Sequence, residues 1–107
     1  PRRGSAFQLW LRHAKRVRGT LLVDSGARDA VRDRGASLLP VGVVEVRGAF
    51  EPGDAVEVAC VDDGIAFARG IAQYGTSELA RLTADGEHVR GAAEAIHRDQ
   101  LVLVEEG

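Results

Sequence analysis

The residues of this 107-residue chain that could do chemistry are few and stand apart. His97-Arg98-Asp99 has the form of a protein-kinase catalytic loop, in which the Asp would accept a proton from a substrate hydroxyl. That chemistry needs an Asn five residues after the Asp to hold metal. Val104 occupies the position, and neither Asp-Phe-Gly nor a glycine-rich phosphate loop accompanies it. The triplet therefore reads as a turn in which His97 and Asp99 bond backbone groups. His13, His88 and His97 are scattered and Cys60 has no partner at ligand spacing, so no metal site is expected. Ser5, Ser25, Ser37 and Ser77 all fit helix caps or turns, and no Gly-x-Ser-x-Gly elbow presents a nucleophile. Neither catalytic nor cofactor-binding residues are expected within the chain.

Charge is the remaining chemical signal. The formal net charge is only −2, yet all six Lys and Arg before Gly19 stand without a single acid among them. This basic end has three readings: a solvated helix face joining two domains, a nucleic-acid contact, or a seat for an acidic partner.

The elements that must position these groups follow from periodicity and turn chemistry. Phe7, Trp10, Leu11, Ala14 and Val17 recur at helical spacing and predict an amphipathic helix over 5–18, with Arg12, Lys15 and Arg16 on its other face. Thr20–Val23 reads as a strand, and Asp24 or Ser25 caps a helix that carries Ala27, Ala30 and Val31 inward. Gly35 sits where a left-handed C-cap belongs. Leu38 and Leu39 lead through Pro40 and Gly42 into a β-segment at Val43–Val46, which Gly48 and Glu51-Pro52-Gly53-Asp54 close. Val56, Val58 and Cys60 alternate along a further strand, and Asp62-Asp63-Gly64 turns it back into Ile65–Ala72 as an antiparallel partner. Thr76 or Ser77 caps a short helical turn over 74–79, and residues 83–93 form a loop. Ala95-Ile96 and Leu101–Val104 are closing strands around Arg98-Asp99. About six short strands with small peripheral helices make a mainly β, barrel-like fold.

Composition sets the bounds. A 45% hydrophobic, 28% charged chain of this length fits one globular domain. No apolar run approaches the roughly 20 residues of a membrane helix, so no membrane contact is expected. No secretory signal is recognisable, so a cytoplasmic location is expected, and Cys60 in its alternating strand reads as a buried thiol. Pro1 at the start and the absence of Met throughout suggest a piece of a longer polypeptide.

Four blocks carry a family resemblance: Gly19–Ala27, Ser37–Val43, Gly48–Asp54 and Ile96–Leu103, with Ala68-Arg69-Gly70 and Tyr74–Leu79 between them. Together they resemble the PUA domain. The Ser-Leu-Leu-Pro and Ile-His-Arg-Asp sequences resemble, within that family, the branch found at the C-terminus of bacterial glutamate 5-kinases. The stretch Leu82–Glu94 is shorter than the usual insert there, and Gln100 stands where Asn is common.

The resemblance implies a PUA-like pseudo-barrel over 19–107, with 1–18 a linker or the last helix of a preceding kinase domain. It implies an accessory or regulatory role, with ATP and Mg bound by an amino-acid-kinase domain of the same polypeptide. A homo-oligomer of that polypeptide is also within its scope. The alternative it carries is an RNA-binding module of the kind attached to tRNA-modifying enzymes. PUA domains of that kind hold RNA against their first helix and the loop and strand after it. Mapped by motif, the RNA-binding residues would be Arg28, Arg32 and Arg34 on phosphates, with Gly35, Leu38, Pro40 and Gly42 beside them. Asp24, Asp29 and Asp33 intersperse these arginines, so a salt-bridged solvent face is the competing reading.

Overall fold

The structure is a computed structural model that describes residues 5–13, 16–86 and 89–104. The elements are α1 (Ser5–Arg12), β1 (Gly19–Val23), α2 (Ser25–Arg34), β2 (Val43–Gly48), β3 (Ala55–Cys60), β4 (Ala66–Ile71), α3 (Thr76–Ala84) and β5 (Leu101–Leu103). Short 3-10 turns occupy Pro40–Gly42, Val89–Gly91 and Arg98–Gln100. The strands form one five-stranded sheet in the order β2-β1-β3-β4-β5. β1 pairs antiparallel with β2 and parallel with β3, whereas β3–β4 and β4–β5 are antiparallel. The fold is mainly β, as expected, with five strands rather than six. Ala95-Ile96 contributes a single bridge, Leu38 to Ile96, because the 3-10 turn at Arg98–Gln100 takes the chain out of pairing before Leu101.

The bridge joins the two ends of the sheet into a barrel-like wrap. Leu38 N donates to Ile96 O at 3.0 Å, and Ala95 N returns to Leu38 O at 2.8 Å. Leu21, Val56, Val58, Leu38, Leu79 and Ile96, each at most 1% exposed, fill the interior. Cys60 is buried as expected. It ends β3, which lies between β1 and β4 and is covered on both faces, so only Glu57 along that strand keeps partial exposure.

The opposite sheet face holds a second cluster of Leu11, Ala55, Ile71 and Val102, with Phe7 and Val104 packed against it. Eight residues of isolated helix are not stable in water, so α1 exists because Leu11 is wholly buried there, which contributes about 1.5–3 kcal/mol. This corrects the expected helix in two respects. It ends at Arg12 rather than near 18, and Trp10, assigned to the buried stripe, is 57% exposed. Ala14 lies outside the described residues. The helix ends where Arg69, opposite Glu57 in the β3–β4 register, reaches up from the sheet. Its Nη1 donates to Arg12 O at 2.8 Å and to Leu11 O at 3.5 Å, supplying a cation where the helix has no further amides to bond its last carbonyls.

At α3 the expected cap is also corrected. The N-cap is Gly75, and the Thr76 hydroxyl is used across the fold, accepting from Phe50 N at 2.8 Å. Residues 83–93 are less irregular than expected: α3 runs to Ala84, a 3-10 turn covers Val89–Gly91, and Tyr74 OH donates to Ala93 O at 2.8 Å.

Candidate functional site

α2 is positioned by its two ends and by one close contact. Asp24 stands extended before the helix, and its Oδ1 accepts from Ala27 N at 2.8 Å. At the other end Gly35 takes the left-handed conformation (φ 64°), donating to Ala30 O. Beneath the helix lies the Pro40–Gly42 turn. A Cβ on Gly42 would fall 2.6 Å from the Ala27 Cβ, so only glycine lets the turn and helix approach as they do. Asp24 N donates to Gly42 O at 3.1 Å, and Gly42 N to Leu39 O at 3.0 Å. The amides of Gly35 and Gly42, two of the residues mapped by motif, are thus engaged in the fold.

Arg28, Arg32 and Arg34 do share α2, but two of them are held by neighbouring carboxylates. Arg28 Nε donates to Asp29 Oδ1 at 3.2 Å and Nη1 to Cys60 Sγ at 3.6 Å. The bond to Asp29 raises the Arg28 pKa, keeping the group a fixed cation. Arg32 lies 3.2 Å from Asp33 and 3.6 Å from Asp29. Arg34 is exposed near the helix end and makes no ion pair among the described residues. Leu38 is 1% exposed and Pro40 is buried, so these two expected contact residues belong to the interior, under the face rather than on it.

Two clefts flank α2. One, of about 240 Å³, lies between the end of the helix and β5, floored by Val31, Leu101 and Val102 and rimmed by Arg32, Gly35 and Arg98. The other, of about 310 Å³, lies toward the β3–β4 hairpin and presents Arg28, Arg32, Cys60, Asp63, Ile65 and Phe67. Arg32 borders both. Sequence reasoning missed Arg98, which reaches the first cleft because Arg98 N donates to Ser37 Oγ at 2.7 Å across 61 residues of chain. Ser37 and Arg98 lie in two of the blocks that carry the resemblance, the available signal that they meet. The neighbouring turn is the one expected: His97 Nδ1 accepts from Asp99 N at 3.0 Å. Among the described residues no three His, Cys, Asp or Glu gather in a way that could hold a metal ion. Nor is any described helix long and apolar enough to cross a membrane.

The face is small and of mixed charge, and the architecture that carries it recurs in known proteins. The glutamate 5-kinase of Myxococcus xanthus is 47% identical over 109 residues, covering 95% of this chain and 29% of its own length. That of Syntrophotalea carbinolica is 43% identical over 110 residues, with coverages of 96% and 29%. The chain thus spans about 29% of the length of these curated relatives. Among solved structures, a PUA domain from Aeropyrum pernix K1, determined as a tartrate complex, matches with a TM-score of 0.70 at 28% identity. It aligns with 84% of this chain and 45% of its own. A conserved PUA domain protein from Thermoplasma acidophilum gives 0.57 at 26% identity, with coverages of 82% and 53%. The PUA domain family model matches residues 19–98, from the first residue of β1 through α2, its clefts and the Leu38–Ile96 closure to Arg98. With sequence blocks, closure and relatives in agreement, the chain belongs to the PUA domain family.

Proposed function

We propose that this PUA domain is the accessory module of a glutamate 5-kinase, which uses ATP and magnesium to phosphorylate the γ-carboxylate of glutamate as the first step of proline synthesis. One observation carries the reading: identities of 43–47% run along 95–96% of the chain, yet cover only 29% of the kinases concerned. The ATP, Mg and glutamate sites then belong to an amino-acid-kinase domain of the same polypeptide, and residues 19–107 act on regulation or assembly. Residues 1–18 are the connection to that domain, whether linker or last kinase helix. A single buried free thiol suits the reducing cytoplasm in which such a kinase works.

The test uses the longer polypeptide that carries this chain. It should form glutamyl phosphate, trapped as the hydroxamate, in proportion to glutamate and ATP. Removing residues 19–107 should leave turnover per site while altering end-product inhibition or the size of the assembly. A longer polypeptide that does not phosphorylate glutamate overturns the reading.

A second reading, contact with RNA, is favoured by one feature. Arg32 and Arg98 rim an apolar-floored cleft at the end of α2, with Arg34 at the same helix end and without an ion pair among the described residues. Its test is a titration with tRNA at two salt concentrations.

A further inference from the structure

We propose that the outer face of α1, centred on Leu9 and Trp10, is the seat on which the catalytic domain of the same polypeptide docks. The inference rests on the glutamate 5-kinase reading and adds to it the contact through which the module acts.

The helix has two dissimilar faces. Its inner face is fixed, with Leu11 wholly buried against Ala55, Ile71 and Val102, and with Arg69 bonded to the carbonyls of Leu11 and Arg12. The outer face is apolar and open: Leu9 is 60% and Trp10 57% exposed, and the Trp10 ring leans on Phe7 with centroids 6.0 Å apart. A large aromatic held on a rigid support and left half in water is the anatomy of an interface anchor.

Three features select the occupant. The relatives place this region at their C-terminus, with 71% of their length outside the match. On that reading the catalytic domain precedes α1 in the same polypeptide and is joined to it covalently. A covalent tether raises the effective concentration, so a modest apolar contact suffices. The segment that carries the helix is also basic: Arg12 and Arg16 are exposed, and no Asp or Glu occurs before Gly19. The complementary surface is therefore an apolar pocket rimmed by carboxylates. The same charge opposes a second copy of this chain, which would bring two basic rims together.

Trp10 is the only tryptophan of the chain, so hydroxyl-radical footprinting with peptide mass analysis reads it directly in either context. Its oxidation rate should fall at least about fivefold from the isolated chain to the longer polypeptide, the change expected on going from 57% exposure to a core value of roughly a tenth or less. Trp10→Glu should abolish end-product control or assembly of the longer polypeptide while leaving the melting temperature of the isolated chain nearly unchanged. Equal oxidation in both contexts, with glutamate phosphorylation present, overturns the docking and leaves the functional reading standing. Protection without glutamate phosphorylation overturns both the occupant and that reading. Protection that already appears in the isolated chain, rises with its concentration and elutes as a dimer assigns the seat to a second copy and overturns the proposal.

Discussion

Gly42 and Thr76 show how single residues hold this fold together. Gly42 is constrained by space: the Ala27 Cβ occupies the place its own side chain would need. Gly42→Ala should push α2 off the Pro40–Gly42 turn and lower stability by about 1–3 kcal/mol. Ala27→Gly on that background should restore part of the loss, less the roughly 0.5–1 kcal/mol that glycine costs inside a helix. Urea midpoints of the four proteins in this cycle measure the coupling, and strictly additive losses would mean that the contact is not the constraint. Thr76 is constrained by hydrogen bonding. Its Oγ1 accepts from Phe50 N, and Phe50 is 3% exposed, so Thr76→Val strands a donor that water reaches poorly. The expected loss is about 1–3 kcal/mol, with Thr76→Ser recovering most of it. A Val variant as stable as the Ser variant would show that water takes over the bond. Both positions sit in segments whose residue types suggested a turn and a cap: Gly42 forms the turn and adds a tertiary contact, whereas Thr76 serves a tertiary contact in place of the cap.

Among the elements, α1 depends most on one distant side chain. Arg69 links three strand and helix features at once, with Nη1 on the Arg12 and Leu11 carbonyls and Nη2 3.5 Å from Glu57 on β3. Arg69→Met keeps the aliphatic stem but removes the cation, leaving the end of α1 uncapped and Glu57 without this partner. The barrel should lose about 1–2 kcal/mol, since hydrogen bonds to a charged group are worth somewhat more than neutral ones. Amide exchange at Leu9–His13 should accelerate more than exchange in β1 and β3. Uniform acceleration would mean that Arg69 supports the sheet rather than the helix.

Elements differ in how far the sequence disclosed them, and the reason is locality. The Asp24 cap, the left-handed Gly35 and the hairpin after Asp62-Asp63-Gly64 each depend on residues within a few positions, and each forms as expected. Three features depend on distant partners and lay outside the reach of periodicity: the parallel pairing of β1 with β3, the burial of Leu38 by Ile96, and the docking of Leu11. The candidate face was legible in part for the same reason. Its arginines were read correctly as lying on one helix, whereas Leu38 and Pro40 went under it and Arg98 arrived from the far end of the chain.

At the scale of the whole molecule, charge is segregated in a way the net value conceals. Six of the fourteen Lys and Arg precede Gly19, whereas all sixteen Asp and Glu follow it, so residues 19–107 carry a net charge of −8. An RNA-binding face must hold its cations unpaired, because affinity for phosphate comes from counterions released as cations replace them. Here Arg28 and Arg32 are already paired with Asp29 and Asp33, which leaves Arg34 and Arg98 near the cleft as cations without an ion pair among the described residues. Two phosphate contacts give a log–log salt slope no steeper than about −2. Titration with tRNA at about 50 and 200 mM salt should accordingly show association no tighter than a non-specific Kd of about 10⁻⁴ M at the higher salt. Whatever binding appears at low salt should disappear when Arg12, Lys15, Arg16 and Arg18 are replaced by Gln. It should persist through Arg34→Glu and Arg98→Glu, because the basic end alone attracts a polyanion. The opposite pattern would install the RNA reading in place of the accessory one: tight binding, indifferent to the N-terminal replacements and lost with Arg32→Glu or Arg98→Glu.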